Sequence, residues 1–161
     1  MKNLKLFLLL FVISAQAQQG GMWIPSLLQG MNEKENQDLS VYDVFIADTI
    51  GILTKIYSYG DIAYVGGGFG TSGLHNILEP ATFGIPVVIG PNYQKFSEAV
   101  ALVNMGGCIS VKDKKALEET LSHLIQNEDE RLEKGHICAT FVEMNKNATA
   151  IIMAHISDDN V

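Results

Sequence analysis

The chain has 161 residues, 47% of them hydrophobic and 18% charged, with a formal charge of −7. That length suits one compact domain rather than two, and apolar residues run through all of it, which excludes a disordered chain. The acidity argues against a nucleic-acid binder, which needs a basic face for phosphates, and Cys108 and Cys138 are too few for a disulfide scaffold.

Lys2 and Lys5 precede the unbroken apolar run Leu6 to Ile13, and Ala15-Gln16-Ala17 follows as a small-x-small cleavage pattern. Such a run spans about 12 Å as a helix, far short of a bilayer core, so residues 1–17 read as a signal-peptide-like segment. Its removal takes away two lysines and leaves a more acidic chain. No other stretch is apolar and long enough to predict a membrane span. Residues 18–41 differ in character: Gly20 to Leu28 carries the single Trp, Trp23, and a polar run from Asn32 to Asp38 follows. Taken with the leader, Gly21-Met22-Trp23 and Asn32-Glu33-Lys34-Glu35 resemble the N-terminus of secreted bacterial dipeptidyl-peptidases, serine exopeptidases with a chymotrypsin-like fold. The alternative for this segment is a linker with one loosely docked Trp.

From Ser40 the pattern becomes regular. Asp43 to Ala47 reads as a strand, and Thr49 caps a helix running to Ser58 with Ile50, Leu53, Ile56 and Tyr57 on one face. Further strands are expected at Ile62–Val65, Pro86–Gly90 and Cys108–Val111. Helices are expected at Leu74–Phe83, Phe96–Met105, Lys114–Gln126 and about Asp129–His155. Gly84 closes the first of these as a C′ glycine, with Pro86 soon after. The charge run Glu128 to Lys134 reads as a solvated face, and the two cysteines as small core residues. Short apolar strands alternating with helices predict an α/β fold with a parallel sheet.

The chemistry concentrates in residues 66–98. Gly66-Gly67-Gly68-Phe69-Gly70-Thr71-Ser72-Gly73 links a strand to a helix, and glycines let backbone amides approach a ligand. A helix starting at Leu74 would aim its free amides and positive dipole end at the same spot, forming an anion site. Glu79, a turn further in, can accept hydrogen bonds from vicinal hydroxyls. Together these features describe a nucleotide-sugar pocket, the alternative being a glycine turn that merely packs closely. Gly68 to Gly73 also matches G-x-G-x-x-G, which raises a dinucleotide-binding oxidoreductase as a rival. The rival wants an acid ending the next strand, where this chain has Ile89-Gly90-Pro91-Asn92. Neither a Walker lysine nor a G-x-S-x-G elbow is present, and His75 with Glu79 at i and i+4 supplies only two ligands, so no metal is expected.

Val65 to Phe69, Gly73-Leu74-His75-Asn76-Ile77-Leu78-Glu79-Pro80-Ala81, Gly84 to Val87, Gly90-Pro91-Asn92, and Phe96 with Glu98 resemble the C-terminal domain of bacterial 3-deoxy-D-manno-octulosonic acid (Kdo) transferases. Asp48 to Gly51 and Leu53 fit the same resemblance, which runs over residues 42–156. It implies a partial Rossmann-like parallel sheet, the second half of a GT-B C-terminal domain. It further implies Kdo transfer from CMP-Kdo to a lipid A precursor at the cytoplasmic face of the inner membrane, without metal or cofactor. On that model Gly66, Gly67 and Gly68 line the donor groove. His75 and Asn76 face the phosphate and carboxylate of CMP-Kdo, Glu79 takes the ribose, and Phe96 and Glu98 close the wall. Thr71-Ser72 stand where relatives often carry Pro or a basic residue, which implies weaker donor binding.

A GT-B enzyme places its acceptor site and catalytic base on an N-terminal domain. Residues 42–161 supply only part of the donor-binding domain, so transfer by this chain alone is not expected. The export-type leader conflicts with a donor made in the cytoplasm. The switch of resemblance near Ser40 therefore suggests a join between a secreted peptidase's N-terminus and the tail of a Kdo transferase, and a non-functional gene fusion is the remaining alternative.

Overall fold

The computed structural model describes residues 53–71, 73–146 and 153. The leader, the segment 18–41, the expected strand Asp43–Ala47, the cap at Thr49, Ser72 and the end of the last expected helix lie outside the described residues.

Short-range chemistry sets several boundaries. Helix α1 spans Leu53–Tyr57, and strand β1 spans Ala63–Val65. Helix α2 spans Leu78–Thr82 and stops where Gly84, at φ +68°, donates its N–H to Ala81 O. The C′ glycine is where the sequence put it. Strand β2 spans Val87–Ile89, and helix α3 spans Ser97–Met105. Gly106, at φ +89°, donates to Val103 O while Gly107 donates to Leu102 O, a Schellman closure that only a left-handed residue permits. Strand β3 spans Cys108–Ser110. Helix α4 spans Lys114–Gln126, and its cap Asp113 accepts from Ala116 N at 2.8 Å. Helix α5 spans Glu128–Asn145.

The three strands run parallel in the order β1-β2-β3, with Ala63 opposite Val87 and Val87 opposite Cys108. Alternation across the sheet divides the core. Val65, Val87, Ile89 and Cys108 face one side, where Leu74, Ile77, Ala81, Ala99, Leu102 and Cys138 bury them. Val88 points to the opposite side, toward Ile62, Val111 and Leu124, with Leu117 and Leu121 of α4 packed around them. Helices thus cover both faces, and Val87, Val88 and Ile89 are wholly buried. Burial of each such side chain contributes about 1.5–3 kcal/mol. The α/β class and the parallel sheet expected from the sequence are the ones observed.

Two expectations are corrected. The helix predicted from Leu74 begins at Leu78, so residues 73–77 form an irregular approach to it. His75 donates its N–H to Gly66 O at 3.1 Å, and Asn76 Oδ1 accepts from Leu78 N at 3.0 Å. The Leu78 amide, which would bond Leu74 O in a longer helix, is taken instead by the Asn76 side chain. The charge run at the start of α5 is not uniformly solvated either. Arg131 is buried and donates to Leu124 O at 2.8 Å and Ile125 O at 3.4 Å, holding the end of α4 against α5.

Candidate functional site

In a parallel sheet the loops leaving the C-terminal ends of adjacent strands meet on one edge, and that is where ligands bind in open α/β folds. Here the loop after β1, residues 66–77, meets the loop after β2, residues 90–96. The glycines are explained by what they touch. A Cβ on Gly67, at φ +89°, would lie 2.0 Å from Gly73 O. A Cβ on Gly68 would lie 2.8 Å from Gly90 N, and one on Gly90 would lie 2.4 Å from Gly68 C. The two loops therefore meet backbone to backbone, a contact no larger residue allows. Close packing, raised from the sequence as the plainer alternative for this turn, holds at Gly67 and Gly68 and leaves ligand contact to be decided by the rest of the site.

Gly66 and Gly68 are buried, and Phe69 stands exposed at the loop tip. His75 is half-buried just after the loop, and its backbone bond to Gly66 O closes the loop's base. Asn76 uses both ends of its amide: Oδ1 holds Leu78 N, and Nδ2 donates to Glu79 Oε1 at 3.1 Å. Asn76 thus orients the Glu79 carboxylate, an internal role the sequence did not reveal. Of the two Glu79 carboxylate oxygens, Asn76 engages Oε1. His75 and Glu79 do not share a helix, which removes the i, i+4 geometry considered for a metal. Among the described residues no group of three or more His, Cys, Asp or Glu could hold one.

Phe96 is half-buried and packs on the core, and its ring tip is 3.4 Å from where a Cβ on Gly73 would sit. The ring thus lies against Gly73 at the end of the glycine loop. Glu98, by contrast, accepts from Ser97 Oγ at 3.2 Å and lines a cavity of about 510 Å³ with Leu78, Ala101, Phe141 and Lys146, between α2, α3 and α5. None of the other candidate residues lines that cavity. The structure therefore brings Gly66, Gly67, Gly68, His75 and Phe96 to one loop cluster, with the Asn76–Glu79 pair beside it, and turns Glu98 into a neighbouring hollow.

The sequence missed Tyr57 and Asn92. Tyr57 is buried and its hydroxyl is pushed up to about 12, by burial first and then by the Glu79 charge, so it stays a neutral neighbour of that carboxylate. Its placement on the apolar face of α1 was legible, but not its approach to Glu79. Asn92 donates its N–H to Gly68 O at 2.9 Å and its Nδ2 to Gly70 O at 3.2 Å. Burial raises the Cys108 thiol to about 12 and Cys138 to about 11, values that leave neither sulfur as a thiolate nucleophile.

No family model matches the chain. The chain is 33% identical over 135 residues to the 3-deoxy-D-manno-octulosonic acid transferase of Chlamydophila psittaci, a match covering 71% of this chain and 31% of that protein. It is 39% identical over 84 residues to the Aquifex aeolicus enzyme of the same name, covering 52% of this chain and 24% of that one. A short partial match, 73% identical over 41 residues, links it to an Asp/Glu-specific dipeptidyl-peptidase of Flavobacterium psychrophilum and covers 26% of this chain and 6% of that protein. Among solved structures, the C-terminal CMP-Kdo binding domain of WaaA from Acinetobacter baumannii superposes with a TM-score of 0.57 at 24% identity, over 62% of this chain and 53% of that one. That likeness is one of fold. The C-terminal part of the chain is thus similar to Kdo transferases, and the chain spans about a third or less of the length of the relatives it matches.

Proposed function

We propose that residues 42–156 form the donor-binding part of a glycosyltransferase of the Kdo transferase type, taking CMP-Kdo on the loops that leave β1 and β2. The observation that carries this reading is the Asn76–Glu79 pair beside a glycine loop. An oriented carboxylate with one oxygen spare suits a vicinal diol, and the exposed tip of the loop at Phe69 and Gly70 suits a phosphate. His75, at the base of the loop, donates to the phosphate or to the sugar's carboxylate. Since α2 is a single short turn, phosphate binding falls to the loop and the His75 side chain rather than to a helix dipole.

Transfer itself requires an acceptor hydroxyl, a base and the anomeric carbon held together. In GT-B enzymes the acceptor, here a lipid A precursor, and the base belong to another domain, and this chain is expected to bind donor without turning it over. Work at the inner-membrane surface belongs to the same proposal, and the export-type leader, which is at odds with it, is accounted for by the origin of residues 1–41 in a join with a secreted peptidase gene. Sequencing across codons 36–44 from independent DNA tests the join. The dinucleotide alternative is disfavoured by the end of β2, where Gly90 packs against Gly68 and no acid is present for a ribose.

The test is calorimetric or NMR titration of the whole chain with CMP, CMP-Kdo and NADH. Saturable CMP and CMP-Kdo binding without NADH binding is expected. Incubation with CMP-Kdo and a lipid A precursor should yield no Kdo-lipid product. Binding of NADH alone would overturn the donor assignment, and turnover would overturn the expectation of inactivity.

A further inference from the structure

A loop containing Gly66, Gly67, Gly68, Gly70 and Gly73 has more backbone freedom to lose than any other segment of its length, so its shape must be imposed from outside. Its base is closed by the His75 N–H to Gly66 O, and its outer part is constrained by the loop after β2. Ser110 Oγ on β3 donates to Gly90 O at 3.2 Å, and Val111 N donates to Ile89 O at 2.9 Å, so the start of this second loop is tied to the sheet. Its middle is stiffened locally, by Gln94 Nε2 donating to Pro91 O at 2.9 Å and Phe96 N donating to Tyr93 O at 2.9 Å. From that braced turn Asn92 reaches across with two donors, its N–H to Gly68 O and its Nδ2 to Gly70 O. The two acceptors are alternate carbonyls of the glycine loop, and Asn92 is itself exposed. Its side chain therefore satisfies no buried group. What the second bond fixes is the direction of the Gly70 peptide at the loop tip, next to Phe69.

We propose that Asn92 is a positioning residue for donor binding, a latch that holds the glycine loop in its receptive shape before the ligand arrives. The proposal rests on the donor-binding reading above. A loop already ordered loses less entropy when it closes on a phosphate, so the latch shows as affinity rather than as fold stability.

The whole chain carrying Asn92→Ala keeps the backbone donor and loses the side-chain donor, and Asn92→Gln keeps an amide on a longer arm. Amide hydrogen exchange is read at position 92, which bonds Gly68 O, and at His75, which bonds Gly66 O. Both amides should exchange about 3–10-fold faster in the alanine variant, the range expected for one net hydrogen bond. CMP should bind about 3–10-fold more weakly, with the glutamine variant between the two and the melting temperature close to that of the unmodified chain. Exchange unchanged at both amides overturns the latch. Faster exchange with unchanged CMP affinity overturns the positioning role and leaves only a structural tie. If the unmodified chain does not bind CMP, the donor reading fails and takes the positioning role with it, an outcome distinct from failure of the latch because the exchange rates are measured without ligand.

Discussion

The loop edge of the sheet and the α4–α5 hairpin are assembled by different means. At the loop edge backbone meets backbone: Gly67 against Gly73, Gly68 against Gly90, with Asn92 bonding across the seam. In the hairpin a side chain meets backbone, as the Arg131 guanidinium donates to the last carbonyls of α4. Leu124 fills the space between α4 and the sheet. A seam of backbone has no rotamers with which to absorb an added atom, whereas a side-chain contact can relax around a loss. Sensitivity to substitution should therefore be steeper at the loops, and damage there should reach binding before it reaches the core.

Gly67→Ala makes the sharpest break. The left-handed backbone and the collision with Gly73 O together should cost about 3 kcal/mol, read as a lowered melting temperature, and CMP binding should be lost. A melting curve and CMP affinity like those of the unmodified chain would show that the loops are not locked by this contact. Arg131→Ala probes the other region. It leaves the carbonyls of Leu124 and Ile125 without their donor and removes a buried stem, a loss of about 2 kcal/mol by denaturant titration, with CMP affinity unchanged. Weakened CMP binding in that variant would mean that the two regions are coupled. Glu130→Gln should give the smallest effect. His123 first, and Lys134 after it, hold the Glu130 carboxyl below its ordinary value of 4.5 against an opposing contribution from burial. A lowered carboxyl adds stability at pH above that value and loses it as pH falls through the shifted one. The variant should therefore track the unmodified chain in acid and fall slightly below it near neutrality. Identical pH–stability curves would show that this exposed pair contributes nothing measurable.

What could be read from the sequence follows the same division. Helix α4 was legible to the residue, because Asp113 caps it locally and its apolar positions recur at helical spacing. Strands β1, β2 and β3 were legible as short apolar runs, each one or two residues shorter in the structure than the run that announced it. The helix start was not, because Leu74 and Ile77 have helical spacing yet are buried from an irregular approach. The bond that fixes that approach, His75 to Gly66, joins groups on opposite sides of the loop. Arg131 was hidden for a similar reason: in a run of charges only the tertiary turn at Asn127 shows which member faces inward. Among the candidate residues, the glycines, His75 and Phe96 fall in the loop cluster after β1 and β2 that the motif spacing indicates. The pairing of Asn76 with Glu79, the approach of Tyr57 and the bridging by Asn92 depend on distances between segments that a linear pattern does not contain.

The contact between α5 and the turn before β2 has an evolutionary consequence. A Cβ on Gly135 would lie 2.0 Å from Gly84 O, and the obstructing atom belongs to the main chain. No replacement at position 84 can make room for a side chain at position 135, since every amino acid carries that carbonyl. Compensation, the usual route by which paired positions drift together, is closed at this crossing. Glycine at 135 can be exchanged only if the helix itself moves away from the turn, so the spacing between α5 and the sheet is set by the one residue that has no side chain.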